Sequence, residues 1–377
     1  MKEGSAMNIA LLGFGTVGSH FYEMAKEHSD LKVIAVLSRR PRPELTCTVT
    51  ADFDEIVRDR SIDTVVEVMG GTEPAYSYLS AALRAGKHAV TANKQLMCAH
   101  YDDLLALARQ NRVSLRCTAA AGGGIPWLTS LARVEKMDTV DAVEGILNGT
   151  TNYMLSAMTN KGSDYTAILK EAQALGYAEA DPTADVEGYD ARRKIVLSAN
   201  LAFGVSIREE DVPCVGISHV SAADIEKARE LGLTFKLIAR AQKDGDKVAA
   251  FVCPTLFPVT APEAHTDGTG NLVSLYSKRI GKQSFSGAGA GGFPTASNVI
   301  ADCMEIIAGC DSYYTDRARP CNVDNSSAIA RWFFRRGGEY LFFGDYTVEQ
   351  AFAVYQSYLA EDPNALMARV ASPRKKK

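Results

Sequence analysis

The chain has 377 residues, of which 46% are hydrophobic and 23% charged, with a formal net charge of -4. That length suits two or three globular domains of roughly 150 residues each, and the small acidic excess excludes the basic footprint of a nucleic-acid binder. The longest apolar runs, such as Asn8 to Leu12 and Thr64 to Met69, fall far short of the roughly 20 residues that cross a bilayer, and no basic segment followed by an apolar stretch marks a secretory signal.

In chain order, residues 1–6 are polar, precede a second methionine at Met7 and read as a disordered leader. From there, apolar runs of strand length at Asn8–Leu12, Lys32–Leu37, Thr64–Met69, His88–Thr91 and Val113–Cys117 alternate with amphipathic stretches. This is the grammar of an α/β domain, a Rossmann-type doubly wound parallel sheet, over residues 7–130. One intervening helix is expected from Pro74 to Ala85, with proline in its first turn and Gly86 at its end.

Residues 131–310 follow a different pattern and predict a second, α+β domain. Strands are expected at Val140–Asn148, Leu233–Gln242 and Lys247–Cys253, the last two joined by turn residues Lys243 to Asp246. Helices are expected at Asp164–Leu175 and Glu187–Phe203, each followed by glycine, and the apolar stretch Thr295–Ala308 suits burial against a domain or a second subunit. Residues 311–377 form an extension of unassigned role. It holds the aromatic segments Trp332–Arg335 and Tyr340–Phe343, a helix from Thr347 to Leu359, and the charges Arg374–Lys377, which read as a solvated tail.

The strand Asn8–Leu12 runs directly into Gly13-Phe14-Gly15-Thr16-Val17-Gly18. In GxGxxG the first glycine permits the tight turn, the second lets backbone approach a pyrophosphate, and the third packs the helix on the strand. The phosphates then meet free N–H groups at a helix N-terminus. Where an acid would bind ribose hydroxyls, about 20 residues on, the chain has Ser38-Arg39-Arg40. Guanidinium groups accept a 2'-phosphate through paired charge-assisted hydrogen bonds, so NADP is expected, with NAD as the lesser option and Arg39 as the contact. The alternative is that both arginines are ordinary loop charges.

Asp190 and Lys194 are four residues apart and share one face of a helix. Alone, that spacing describes an ordinary surface ion pair. Five segments set it in a larger pattern: Val90-Thr91-Ala92-Asn93-Lys94, Gly122-Gly123-Gly124-Ile125-Pro126, Gly145 to Tyr153 (GILNGTTNY), the acidic segment Glu179 to Lys194, and Gly287 to Ala296 (GAGAGGFPTA).

With GFGTVG, these segments resemble the homoserine dehydrogenase family in sequence order across residues 8 to 305. The resemblance implies interconversion of L-homoserine and L-aspartate 4-semialdehyde, an amino-acid biosynthetic step toward threonine and methionine. It makes Lys194 the general acid/base, has Asp190 and Glu179 hold the substrate in the catalytic site, and places Lys94 between nicotinamide and substrate. Glu179, Asp185, Gly149, Thr150 and Tyr177 would surround homoserine. Thr16, Val17, Thr91, Gly176 and Gly291 would join Gly13, Gly15 and Gly18 around the cofactor. The second domain would be catalytic and dimer-forming, in a homodimer or a dimer of dimers.

The resemblance also implies a monovalent cation such as sodium, held by the backbone carbonyls of Ala121, Gly123 and Ile125. The family's glutamate eight residues before the proline is Thr118 here, a departure at that metal. Many members of the family carry a C-terminal domain that binds threonine; the residues after 310 show no such pattern, and feedback inhibition by that route is not expected. The eight cysteines form no CxxC pair and the six histidines show no ligand spacing, which fits a reducing cytoplasm and a small-molecule substrate, without nucleic acid or membrane. A catalytically silent NADP-binding sensor, or a reductase of another small amino-acid aldehyde, are the alternative readings.

Overall fold

A computed structural model describes residues 6–310 and 319–371. Most of the expected leader and the charged run Arg374–Lys377 lie outside the described residues. The chain divides into two compact units, one from the residues up to Lys136 with Ala288–Arg319, the other from Met137–Gly287 with the residues from Pro320 on.

The first unit contains six parallel strands: β1 (Met7–Leu12), β2 (Leu31–Leu37), β3 (Thr48–Thr50), β4 (Thr64–Glu67), β5 (His88–Thr91) and β6 (Leu115–Arg116). Their order is β3-β2-β1-β4-β5-β6. The order reverses between β1 and β4, and in such sheets the crevice at the carboxyl ends of the two strands receives the ligand. β6 is shorter than the expected Val113–Cys117 because only Leu115 and Arg116 pair with β5. The helices of this unit are α1 (Thr16–Ala25), α2 (Phe53–Arg58), α3 (Ala75–Arg84), α4 (Lys94–Ala99), α5 (Tyr101–Gln110) and α6 (Trp127–Glu135).

A helix from far along the chain, Gly292–Ile307, also belongs to this unit and packs on α1. Its Ala296, Val299, Ile300, Cys303 and Ile306 join Ile9, Leu11, Phe21 and Tyr22 in one buried cluster. On its other side Asp302 is buried, its carboxylate bonded to Arg116 Nε at 3.0 Å, Thr118 Oγ1 at 2.7 Å and Thr118 N at 2.8 Å. Burial pushes the Asp302 carboxyl above its ordinary range, while the Arg116 charge pulls it back.

The second unit is built on a mixed eight-stranded sheet that begins with β7 (Val140–Ile146). Strand Gly270–Ser277, then Gly281–Ala288 at the edge, lie on one side of it; Leu233–Asp244, Lys247–Pro258, Leu366–Val370, Ile329–Arg336 and Glu339–Thr347 follow on the other. Helices α7 (Gly149–Lys161), α8 (Tyr165–Ala174), α9 (Thr183–Val186) and α10 (Tyr189–Phe203) connect β7 to the next long strand. Sequence pattern anticipated only α8 and α10. In α7, residues Thr150 to Asn152 and Met154 to Met158 are all buried, so no polar face exists to produce an amphipathic stripe.

The segment of unassigned role supplies the last three strands of this sheet and the helix Val348–Glu361, capped by Thr347 Oγ1 accepting from Gln350 N. Trp332, Phe334, Met367 and Tyr355 pack with Phe251 and Cys253. Arg369 also reaches across to β7: its guanidinium lies 3.1 Å from Glu144, which pairs at 2.5 Å with Arg240. Burial alone would raise the Glu144 carboxyl, yet the two guanidinium groups and the Tyr276 hydroxyl hold it far below the usual range. No helix among the described residues is long and apolar enough to cross a membrane.

Removing one partner from a buried ion pair leaves an uncompensated charge and costs about 3–5 kcal/mol. Glu144→Gln should therefore lower stability by that amount at pH 7, measured by chemical denaturation. A carboxyl with a depressed pKa stabilises above its unfolded value, so the gap to wild type should close only as pH falls below 4.5, the ordinary glutamate value. A gap under about 1 kcal/mol would show that the cluster does not hold the sheet.

Candidate active site

The turn after β1 shows why the glycines are needed. Gly13 has φ +97°, and a Cβ on Gly18 would come within 2.2 Å of the Gly13 carbonyl oxygen, so the helix could not leave the strand so closely with any side chain there. A Cβ on Gly15 would meet nothing within 4 Å. That glycine therefore leaves its outer backbone bare, beside the first turn of α1 where Thr16 and Val17 lie, as an approaching phosphate requires.

The carboxyl end of β4 lies on the other side of the switch point. Glu67 is fully buried there, and burial raises its pKa against four opposing hydrogen bonds. It accepts from Thr91 Oγ1 at 2.5 Å, Met69 N at 2.7 Å and Asn93 Nδ2 at 3.4 Å. Asn93 in turn donates to Gly71 O at 2.6 Å and caps α4 by accepting from Leu96 N at 3.1 Å. Lys94 is the first residue of that capped helix and is half-buried. Glu67 thus organises the Thr91–Lys94 segment, a role that a lone glutamate at a strand end does not announce in sequence.

Arg39 and Arg40 are exposed at the end of β2, in a turn closed by Ser38 Oγ donating to Arg40 O. A residue that sequence reading passed over, Arg42, sits closer to the glycine turn. Its guanidinium donates to Phe14 O at 3.2 Å and lies 5.1 Å from the Phe14 ring centroid.

The second unit assembles a compact polar cluster. Lys194 is 7% exposed and Asp190 6%, so this pair is no surface ornament. Lys194 Nζ donates to Asp190 Oδ2 at 2.7 Å and to Leu147 O at 2.6 Å. The same Asp190 oxygen accepts from Asn148 Nδ2 at 3.0 Å, and that amide also donates to Asp185 Oδ1 at 2.6 Å. The Asn148 oxygen is already committed, since it caps α7 by accepting from Thr151 N at 2.8 Å. With its oxygen fixed, the amide can present only donors to the carboxylates. Burial raises the Asp185 carboxyl, and the nearby Asp190 charge adds to the rise while the Asn148 bond opposes it.

Other expected substrate residues lie around α7 and the segment after α8. Gly149 opens α7, where a Cβ would come within 2.9 Å of Thr269 O, and Thr150 Oγ1 donates to Tyr177 O at 2.5 Å. Tyr177 is exposed, with its ring 5.0 Å from that of Tyr153. Gly176 is exposed, with φ +75°. Glu179 is also exposed, and no bond among the described residues joins its carboxylate to the lysine cluster. In the first unit, Gly291 precedes the Gly292–Ile307 helix with φ +119°. The carbonyls of Gly123 and Ile125 already accept from a side-chain amide, that of Asn298.

The comparisons with known proteins agree in one direction. Residues 126–304 match the family model described as homoserine dehydrogenase, and residues 13–118 match the model of that enzyme's NAD-binding domain. Homoserine dehydrogenase of Corynebacterium glutamicum is 43% identical over 322 residues, covering 80% of this chain and 72% of that protein; the Bacillus subtilis enzyme is 39% identical over 316 residues, covering 80% and 73%. The crystal structure of a homoserine dehydrogenase from Thiobacillus denitrificans aligns with TM-score 0.88 at 28% identity, covering 98% of this chain and 99% of that one. None of these favours a silent sensor or a reductase of another aldehyde.

Aspartate serves as an N-cap as well as asparagine does, so Asn148→Asp isolates the loss of the two amide donors. It would put three carboxylates around one ammonium, and at least one would take up a proton with a raised pKa. The variant should be destabilised by about 2–4 kcal/mol at pH 8, recovering toward pH 5 as that carboxyl is protonated. Thermal melts across this range test it; a deficit independent of pH would mean that the amide does not separate the charges.

Proposed function

The chain belongs to the homoserine dehydrogenase family, NAD(P)-dependent oxidoreductases acting on a CH–OH group, and we propose that it interconverts L-homoserine and L-aspartate 4-semialdehyde, with NADP(H) preferred, in the branch leading to threonine and methionine. The observation that carries the reading is the buried Lys194 ammonium, fixed by Asp190 and the Leu147 carbonyl beside a second carboxylate, Asp185.

A nicotinamide held by this chain would supply the hydride chemistry, removal from the alcohol carbon or return to the aldehyde. The proton is the protein's task. Lys194 takes it from the homoserine hydroxyl during oxidation and delivers it to the aldehyde oxygen during reduction. Asp190 orients the ammonium through its short bond and balances its charge when protonated. Lys94, set at the start of a helix by the Asn93 cap, is by the family resemblance a second cation between cofactor and substrate. Asp185 and Glu179 pair with the substrate ammonium, while Gly149, Thr150 and Tyr177 shape the pocket around it.

On the cofactor side Gly13, Gly15, Thr16, Val17 and Gly18 cradle the pyrophosphate, and Thr91 and Gly291 line the remainder, with Gly176 assigned to the cofactor by the family resemblance alone. Arg39 receives the 2'-phosphate, which its exposed place at the end of β2 supports. Eight cysteines outside any disulfide fit a cytoplasmic setting, and the family resemblance supports a homodimer or a dimer of dimers.

Lys194→Ala should lower turnover by about 10²–10⁴-fold, the usual weight of a general acid–base group, with cofactor affinity in a fluorescence titration unchanged. Near-normal turnover would remove Lys194 from the chemistry. Arg39→Ala should reduce kcat/KM for NADPH about ten- to hundredfold, equivalent to one charged hydrogen bond, and leave that for NADH unaltered. Equal loss with both cofactors would refute the phosphate contact.

A further inference from the structure

The turn that should hold a monovalent cation is already occupied by a side chain. We propose that the amide of Asn298 replaces the cation in this chain, so that the Gly122–Pro126 turn is held without sodium or potassium. Asn298 is 6% exposed on the Gly292–Ile307 helix, and its Nδ2 donates to Gly123 O at 2.5 Å and to Ile125 O at 3.0 Å. These are two of the three carbonyls that the family pattern assigns to the ion. A cation drawn to both oxygens would have to occupy the place of the amide nitrogen. The reverse orientation of the amide would set its oxygen against two other acceptors, so the geometry admits only the donor.

A second partner of Ile125 O closes the case at that atom. Trp127 N donates to it at 2.7 Å, and a carbonyl oxygen has two lone pairs. Both are committed within the protein.

The charge balance points the same way. Where the family pattern has a glutamate, Thr118 donates through both Oγ1 and N to the two oxygens of Asp302. That carboxylate also carries the Arg116 guanidinium, with both side chains almost wholly buried. The guanidinium also reaches the Glu305 carboxylate at 3.3 Å, but that group is exposed to solvent, so the buried aspartate is matched by a buried cation and brings no unmatched charge to attract a free one. A neutral amide fits such a place, whereas a bare ion would enter it against the cost of losing its water without a carboxylate in return.

This substitution has a structural purpose. A Cβ on Gly123 would fall within 2.3 Å of the Gly289 backbone, and one on Gly124 within 2.8 Å of Pro294 Cβ. Gly124 N also donates to Ala288 O at 3.0 Å. The turn therefore lies directly on the glycine-rich segment before the Asn298 helix, and the amide clamps helix, segment and turn together. Asn298 is a positioning residue for that segment.

The test is the melting temperature of the full chain without cofactor, in sodium, potassium and tetramethylammonium chlorides at equal ionic strength. Wild type should melt at one temperature in all three; a rise of more than about 2 °C specific to sodium or potassium, at least half a kcal/mol by the usual conversion, would overturn the proposal. Asn298→Ala should melt roughly 3–8 °C lower in tetramethylammonium, because two buried carbonyls lose a donor. It should also acquire what wild type lacks, a higher melting temperature in sodium or potassium. A variant as indifferent to the cation as wild type, or one melting at the wild-type temperature, would show that the amide was not standing in for an ion. Should the variant fail to fold, the wild-type comparison still decides.

Discussion

Burying the Lys194 ammonium is the constraint around which the second unit is arranged. A charge taken out of water is tolerated only where counter-charge and hydrogen bonds replace the lost solvent. Asp190, one helical turn earlier, supplies the first, and the carbonyl at the end of β7 supplies the second. Those two requirements join the end of a strand to a helix more than forty residues later. They also explain why Asn148 must follow Leu147: the next residue has to hold both Asp190 and Asp185 while starting α7. An ion pair that would contribute only tenths of a kcal/mol on a surface becomes, through burial, a fixed ammonium with a defined neighbour, the group proposed for proton transfer.

Much of the first unit was legible because a parallel sheet covered on both faces reads as short apolar runs, and the glycine turn follows the first of them directly. The i,i+4 relation of Asp190 and Lys194 was equally plain. Their burial was not, since it depends on β7 and α7 closing over the start of α10, and no local pattern reports that. Helix α7 escaped notice for a related reason: polar residues Thr150, Thr151 and Asn152 are buried along with its apolar ones, which erases the periodicity that marks a half-exposed helix. The strand Leu366–Val370 was hidden by topology. It enters between Lys247–Pro258 and Ile329–Arg336 and pairs in both directions, and its Arg369 finds Glu144 at a separation of 225 residues.

Four buried asparagines recur at the points that local reading missed. Asn93 ties the start of α4 to Gly71, Asn148 separates two carboxylates, Asn152 donates to the carbonyls of Thr266, Gly268 and Gly270, and Asn298 clamps the Gly122–Pro126 turn. At Asn152 the amide oxygen is answered by the buried Lys236, whose ammonium burial holds at a pKa of about 8 despite the opposing charge of Asp267. Three of the four lie where irregular backbone turns carbonyls inward, whereas the acceptors at Asn148 are carboxylates. Such carbonyls require donors, and a neutral amide offers two from one planar group without the desolvation cost of a full charge.

The same reasoning separates the two kinds of polar group in this protein. At position 194 a buried lysine is flanked by carboxylates that support its charge. Where only carbonyls need a donor, as at the Gly122–Pro126 turn, a neutral amide serves and its acceptors carry no net charge. Asn298 belongs to the second kind. Its carbonyl partners would serve a cation equally well in coordination terms, so the choice between ion and amide rests on charge: with Thr118 in place of a glutamate and Asp302 matched by Arg116, the electrostatic reason for an ion is gone while the need to satisfy two inward carbonyls remains. An amide meets that need at any salt composition, and a loop packed through glycines against backbone has no slack to exchange one solution for the other.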